Sequence, residues 1–131
     1  MAKFVADQTI KQLISHEKGI KGSKILILGL TFKENCPDVR NTKLLDIGHE
    51  LAKYGVTVSY SDPWVSTEDW ARLGIEALDY NQLPQGAFDA VIVAVNHQEF
   101  KGQDAYIKSL CTPPSVVIDV KGALDNPDWR L

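Results

Sequence analysis

The chain has 131 residues, of which 44% are hydrophobic and 24% are charged, and its formal net charge is −3. This length allows one domain with its own core, while the slightly acidic balance excludes a strongly basic surface for nucleic acid. The sequence has two cysteines, too few for a disulfide framework, and lacks both the apolar run of a membrane helix and a signal-peptide core, so we expect a cytoplasmic domain that binds neither nucleic acid nor membranes.

The first predicted element is a helix, because apolar residues recur at helical spacing over 4–14. No strand precedes this helix, so its apolar face needs another partner. That partner could be this domain or a neighbouring one. A turn over 19–23 then leads to the first strand.

The first predicted strand, over 25–28, is a continuous apolar run, which is typical of parallel strands buried on both faces. A long charged loop follows it and leads into a helix over 42–54. Asn41 or Thr42 could cap the start of this helix, and Gly55 could end it.

Strands and helices continue to alternate along the rest of the chain. We predict a strand over 56–60, a helix over 66–73 capped by Thr67, a short edge strand over 75–78, a strand over 90–95, a helix over 103–110, a strand over 116–120 and an irregular tail over 122–131. This alternation predicts an α/β fold, a three-layer Rossmann-like sandwich with a mostly parallel open sheet flanked by helices.

Polar and charged side chains follow each of the four main predicted strands. They are Lys33 and Arg40 after the first, Asp62 after the second, Asn96 and His97 after the third, and Lys121 after the fourth. Because the carboxyl ends of parallel strands meet at one edge of a sheet, these groups are expected to share a crevice. Three of them are cations, and a helix start nearby adds free N–H groups, so the crevice suits an anionic ligand.

The turn after the first strand is not a dinucleotide fingerprint. Gly29 is followed by Leu30, Thr31 and Phe32, which are too bulky for a glycine-rich turn whose backbone approaches a pyrophosphate. Phosphate contacts are therefore expected to come from side chains. Spacing alone leaves a second interpretation open, in which the loop is solvated and its cations pair with its acids, Lys33 and Arg40 with Glu34 and Asp38.

Other residue types in the chain have plain structural interpretations. Asp62, which precedes a proline, is more typical of a turn than of a ribose ligand. His97 is interpreted as a hydrogen-bonded loop histidine, since no partner carboxylate is identifiable. Cys36 has no evident base, Cys111 lies at a helix end, and no Cys/His spacing indicates a metal site.

The stretch over 29–42 resembles the C-terminal, UDP-binding domain of the UDP-glucose/GDP-mannose dehydrogenases. It fits the pattern G-L-x-F-K-x-x-x-x-D-x-R-x-S/T without a gap, and segments 60–63, 95–100 and 117–122 agree in order. The segments E-N-C-P-D-V-R-N-T and D-V-K-G are most similar to those of members that oxidise UDP-N-acetylhexosamines for polysaccharide and O-antigen synthesis.

The resemblance implies an oxidoreductase that converts C6 of a nucleotide-sugar to a carboxylate in two NAD-dependent steps. In that family an N-terminal domain holds NAD, a central helical region makes a homodimer, and a cysteine in a glycine-rich motif is the nucleophile. None of that machinery is in this chain, so we expect a fragment that is inactive alone. Residues 1–19 would then be the end of the central linking helix, and 20–131 the UDP-binding domain.

The resemblance also implies roles for individual residues, none of them catalytic. It assigns Phe32 and Lys33 to the UDP-sugar, Arg40 to the NAD pyrophosphate, Asp38 to orienting the loop, Lys121 to the substrate at a position where many relatives carry arginine, and Asn96 and His97 to the nucleotide side of the cleft. The sugar itself is not fixed by these residues.

Two other classes of function remain alternatives. A signalling receiver domain has similar length and alternation, but it needs paired acids after the first strand and an aspartate after the middle one. Those places hold Thr31 with Phe32, and Asn96, so only Lys121 fits. A stand-alone nucleotide-sensing domain without chemistry is also compatible with the sequence.

Overall fold

The computed structural model describes residues 1–31, 33–39 and 43–131. Its helices are α1 (Ala2–Ser15), α2 (Leu45–Ala52), α3 (Thr67–Leu73) and α4 (Asp104–Ser109), with a 3-10 turn at Tyr80–Gln82; its strands are β1 (Lys24–Leu28), β2 (Thr57–Ser61), β3 (Ala90–Val93), β4 (Val117–Asp119) and β5 (Trp129–Arg130). Within these described ranges, no helix is long and apolar enough to cross a membrane.

The five strands form one sheet in the order β2-β1-β3-β4-β5, and every neighbouring pair is parallel. From β1 the chain moves to one side of the sheet, and from β3 it moves to the other. The strand order therefore reverses between β1 and β3, the place where open α/β sheets bind ligands. The predicted α/β fold is confirmed.

The core has two layers because successive strand side chains point to opposite faces of the sheet. Ile25 and Ile27 of β1 pack in the layer that holds α1, α2 and α3. Leu26 and Leu28 of the same strand pack in the layer that holds α4. The sheet is thus the middle of a three-layer sandwich, as predicted.

Helix α1 belongs to this core. Val5, Ala6 and Leu13 are completely buried and pack in the same cluster as residues of α2. This domain therefore covers the part of the apolar face that holds these residues, while Phe4 and Ile14 of the same predicted helix stay exposed, at 50% and 60%. Just after the helix, the Lys18 ammonium donates hydrogen bonds to the carbonyls of Asp89 and Thr112, both at 2.8 Å, and ties α1 to the sheet.

Two predictions near β2 are wrong in detail. The segment over 75–78 is not a strand; Leu78 N–H donates one backbone hydrogen bond to the Tyr60 carbonyl (2.8 Å), and no ladder follows. Helix α3 is capped by Ser66, whose hydroxyl accepts from the Asp69 N–H at 3.1 Å, and not by Thr67, which is already the first helical residue.

Two further differences lie elsewhere in the chain. Helix α2 begins at Leu45, later than predicted, and the proposed capping residues Asn41 and Thr42 lie outside the described residues. The tail is not wholly irregular, because β5 pairs with β4 through Ile118 opposite Trp129. A two-residue strand is too short to show a periodic pattern in the sequence.

The phenol of Tyr80 is a pH-sensitive part of the α4 layer. It packs against Phe100 with ring centroids 5.3 Å apart and donates to the Glu99 carbonyl at 3.2 Å. Burial, reinforced by the nearby Tyr106 and Glu99, raises the pKa of Tyr80 to about 12, from 10.0 for an exposed tyrosine. The folded chain thus keeps this proton at pH values where the unfolded chain has lost it, so stability falls as the pH rises.

We expect the free energy of unfolding to decrease between about pH 10 and about pH 12. Urea denaturation across that window measures the decrease, with Tyr80→Phe as the control that cannot ionise. The variant should lose less stability than the wild type over the same window. Equal losses in the two proteins would show that Tyr80 does not carry the effect.

Candidate functional site

The candidate site is a pocket of about 410 Å³ at the carboxyl ends of β1 and β3. Its walls come from the loop after β1, the start of α2, the segment after β3 and the loop after β4. The side chains that matter for its chemistry are Thr31, Lys33, Glu34, Lys43, Asn96 and Lys121. The pocket therefore lies at the point where the strand order reverses, and it joins residues that are distant in sequence.

Three lysines give the pocket its charge. Lys33, Lys43 and Lys121 come from three different segments, all are exposed, and Glu34 is the one acid among the described residues that line the pocket. Within the described ranges, none of these lysines forms a salt bridge, so the alternative in which Lys33 pairs with Glu34 or Asp38 is not seen. The part of that alternative that concerns Arg40 lies outside the described residues. A chain with a net charge of −3 thus carries a local cationic cluster that suits a phosphate-bearing ligand.

Asn96 adds an unsatisfied acceptor to the same pocket. Its side-chain oxygen is buried and has no hydrogen-bond partner among the described residues. A buried acceptor without a donor is unfavourable. An N–H or O–H group of a bound ligand would satisfy it, next to lysines that would hold an anion.

The turn after β1 lies tightly against the segment that follows β3. Gly29 has φ +101°, and an added Cβ would lie 2.8 Å from Cβ of Val95 and 2.9 Å from its backbone nitrogen. The loop from β1 therefore crosses directly against the segment that leaves β3. Glycine is required here by both the positive φ and the close approach.

The backbone N–H groups of this turn are already occupied by Asp62. Its Oδ2 accepts from the N–H of Leu30 at 2.7 Å and of Thr31 at 3.3 Å. Its Oδ1 accepts from the N–H of Trp64 at 2.8 Å. Because the Asp62 carboxylate occupies these two N–H groups, this turn does not offer a phosphate the backbone contacts of a glycine-rich turn. Asp62 acts as a turn residue, as interpreted from the sequence.

His97 lies beneath the loop and not on the pocket surface. Its side chain is completely buried, and its Nε2 is 3.0 Å from Oδ2 of Asp62. The interpretation that no carboxylate partners His97 is therefore wrong, since Asp62 is 35 residues away in sequence and next to it in space. His97 is not among the described residues that line the pocket, and its predicted place on the nucleotide side of the cleft stays a prediction.

Asp119 fixes the loop that carries Lys121. Its carboxylate accepts from the N–H groups of Gly122, Ala123 and Leu124 at 2.9 to 3.0 Å, and it is completely buried. Sequence reasoning did not single out Asp119, although an aspartate shortly before a glycine is a recognisable turn signal. It did not single out Lys43 either, because an exposed lysine before a helix has no distinguishing pattern.

The remaining predicted site residues are placed as follows. Phe32 and Arg40 lie outside the described residues. Asp38 is half-buried in the loop over 36–39. Cys36 and Cys111 are free thiols, and burial raises the pKa of Cys111, which keeps this thiol protonated. Across the described ranges, no group of three or more His, Cys, Asp or Glu side chains is arranged to hold a metal ion.

Comparisons with known proteins identify the family of the chain. Residues 26–126 match the UDP-glucose/GDP-mannose dehydrogenase family, UDP binding domain. The whole chain is 42% identical to UDP-N-acetyl-D-glucosamine 6-dehydrogenase of Pseudomonas aeruginosa and 46% identical to the enzyme of that name from Salmonella typhi, covering 32% and 31% of their lengths. The chain thus spans about a third of these relatives.

A solved structure shows the same fold. The UDP-D-ManNAc dehydrogenase from Pyrococcus horikoshii superposes with a TM-score of 0.70 over 98% of this chain and 30% of that one, at 22% identity. The relatives from Pseudomonas aeruginosa and Salmonella typhi are dehydrogenases, which gives no support to the signalling or nucleotide-sensing alternatives. The chain belongs to the UDP-glucose/GDP-mannose dehydrogenase family, and it carries that family's UDP-binding domain.

Proposed function

We propose that the lysine pocket binds the diphosphate of a UDP-sugar, in an enzyme that oxidises C6 of that sugar to a carboxylate with NAD. The observation that carries this proposal is the convergence of Lys33, Lys43 and Lys121 on one pocket at the β1–β3 edge. Family membership supports the choice of a uridine nucleotide over other anions. A product with a carboxylate at C6 suits polysaccharide synthesis.

The pocket residues divide into two kinds in this proposal. The lysines supply positive charge to the phosphates, as point charges without the bidentate geometry of arginine. Asn96 supplies an acceptor for a hydroxyl or amide N–H of the ligand, which would satisfy its buried oxygen. Phe32 as a further UDP-sugar contact and Asp38 as the residue that orients the loop remain predictions.

NAD would be held mainly by another part of a longer polypeptide. In this chain the N–H groups of Leu30 and Thr31 are taken by Asp62, so the turn after β1 does not fit a dinucleotide. When bound, NAD supplies the hydride acceptor. This chain's part would be the contact of Arg40 with the NAD pyrophosphate, as implied by the family motif.

The wider organisation follows from the same proposal. Residues 1–19 would connect this domain to a central region, and two copies of the full enzyme would form a homodimer in the cytoplasm. The chain would bind its nucleotide weakly, because the opposite wall of the cleft lies on another domain. It would oxidise no UDP-sugar alone.

Calorimetry on the 131-residue chain tests the binding role. We expect UDP and UDP-N-acetylglucosamine to bind more tightly than inorganic phosphate or NAD, with an affinity that falls as salt is added. Replacing Lys33 or Lys121 with alanine should weaken UDP binding roughly tenfold, which corresponds to about 1.4 kcal/mol. Removal of these exposed side chains should leave the unfolding temperature unchanged.

Lys11→Ala is the matched control, since Lys11 is exposed on α1 and does not line the pocket. It should leave the affinity for UDP at the wild-type level. Two results would contradict the proposal: UDP that binds no more tightly than phosphate, or equal losses in Lys11→Ala and Lys33→Ala. Turnover of a UDP-sugar by the chain alone would contradict the expectation that it is inactive in isolation.

A further inference from the structure

The loop that carries Lys33 is anchored at Asn35 by hydrogen bonds to the segment after β3. Asn35 has φ +54°, a left-handed conformation that asparagine adopts more readily than most residues other than glycine. Two contacts fix Asn35 in this conformation, and both come from the segment after β3. The N–H of Asn35 donates to Nδ1 of His97 at 2.8 Å, and its Oδ1 accepts from the N–H of Gln98 at 2.8 Å.

The contacts of the His97 ring define its tautomer. A backbone N–H can only donate, so Nδ1 of His97 accepts from Asn35 and carries no hydrogen. The ring hydrogen is therefore on Nε2, which lies 3.0 Å from Oδ2 of Asp62 and 3.1 Å from Oγ1 of Thr31. That hydroxyl donates to the Lys33 carbonyl at 2.7 Å, so it is free to accept from Nε2.

The ring is also fixed by packing. His97 is completely buried, between Trp64 and Phe100, with ring centroids 6.0 and 5.4 Å from its own. The indole of Trp64 is in turn anchored by a hydrogen bond of 2.9 Å to the carboxylate of Glu99. A buried ring with a single tautomer presents its acceptor in one direction, which is how a supporting side chain orients a binding group.

We propose that His97 is a positioning residue, which holds the Lys33 loop over the pocket through Nδ1 while Asp62 fixes the ring through Nε2. This inference rests on the proposed binding role of Lys33. His97 would touch no ligand, and its effect on binding would pass through Asn35 and the loop. The two ring nitrogens thus have separate roles: Nδ1 holds the loop at Asn35, and Nε2 fixes the orientation of the ring against Asp62.

Two substitutions at His97 remove these two hydrogen bonds one at a time. In His97→Asn the side-chain oxygen is as many bonds from Cβ as Nδ1 is, so it can still accept from Asn35 but does not reach Asp62. In His97→Gln the amide reaches the position of Nε2 and can donate to Asp62, but no acceptor faces Asn35. Both variants lose one hydrogen bond and most of the ring, so their losses of thermal stability should be similar.

We expect His97→Gln to weaken UDP binding about tenfold, and His97→Asn by less than about threefold, because only the first releases the loop. Calorimetry under conditions where both variants are folded measures this difference. Equal affinities for UDP in the two variants, or a weaker affinity in His97→Asn than in His97→Gln, would overturn the inference.

Nuclear magnetic resonance tests the same contact without any ligand. A scalar coupling between the amide nitrogen of Asn35 and Nδ1 of His97 is expected, together with slow amide exchange at Asn35 that becomes fast in His97→Gln. If these signals are present and UDP does not bind, the proposed function fails and the positioning contact stands. If the coupling is absent and Asn35 exchanges equally fast in both proteins, the positioning role fails, whatever the result with UDP.

Discussion

Asp62→Ala is expected to lower the free energy of unfolding by about 3 to 5 kcal/mol, since each buried donor left without an acceptor costs about 1–3 kcal/mol. The carboxylate accepts from the N–H groups of Leu30, Thr31 and Trp64 and from Nε2 of His97. Alanine removes the carboxylate from all four donors, and Nε2 of His97 keeps Oγ1 of Thr31 as an acceptor at 3.1 Å. Water entering the vacated space would recover part of this loss, which is why the expected cost is less than the sum.

Urea denaturation of the two proteins measures this effect. Asp79→Ala is a matched control, because Asp79 also accepts a backbone N–H, that of Asn81 at 2.9 Å, but in an exposed turn. That substitution should cost only about 1 kcal/mol, as for an ordinary cap. If Asp62→Ala lost no more stability than Asp79→Ala, the Asp62 network would not be important for the fold.

The central strands of the fold could be predicted because they are buried on both faces of the sheet. β1 and β3 are unbroken apolar runs, and a parallel sheet covered by helices leaves no other environment for such runs. The edge of the sheet was less predictable. Segment 75–78 begins and ends with large apolar residues, as a short strand can, but it makes a single hydrogen bond to β2. β5 consists of only two residues, both paired with β4.

The site was predictable to the extent that it follows from topology. Lys33, Asn96 and Lys121 meet in one pocket because parallel strands bring their carboxyl ends to one edge. The contact between Asp62 and His97 does not follow from topology, because it depends on where two side chains point after their strands have ended. The predicted strands put Asp62 and His97 at the correct edge of the sheet, but no pattern in the sequence indicates that their side chains form a hydrogen bond.

The same edge depends on the glycine that ends β1. Gly29→Ala is expected to cost about 3 to 5 kcal/mol, from strain of about 1–3 kcal/mol at an unfavourable φ and a similar amount from overpacking. The new Cβ would lie 2.8 to 2.9 Å from Cβ, Cγ2 and the backbone nitrogen of Val95. Neither strand can easily move away, since Gly29 N–H donates to the Ser61 carbonyl and Ala94 N–H to the Leu28 carbonyl, at 2.9 and 2.8 Å.

Gly22→Ala is the control that has the backbone strain of a positive φ without the close approach of a new Cβ to other atoms. Gly22 also has a positive φ, +83°, but nothing lies within 4 Å of the position of an added Cβ. This control should cost about 1–2 kcal/mol, from the left-handed backbone alone, and should leave UDP affinity unchanged. In Gly29→Ala the folded molecules should also bind UDP more weakly, because any shift that relieves the contact with Val95 displaces the loop that carries Lys33. Equal losses of stability in the two variants would mean that the crossing against Val95 is not tight.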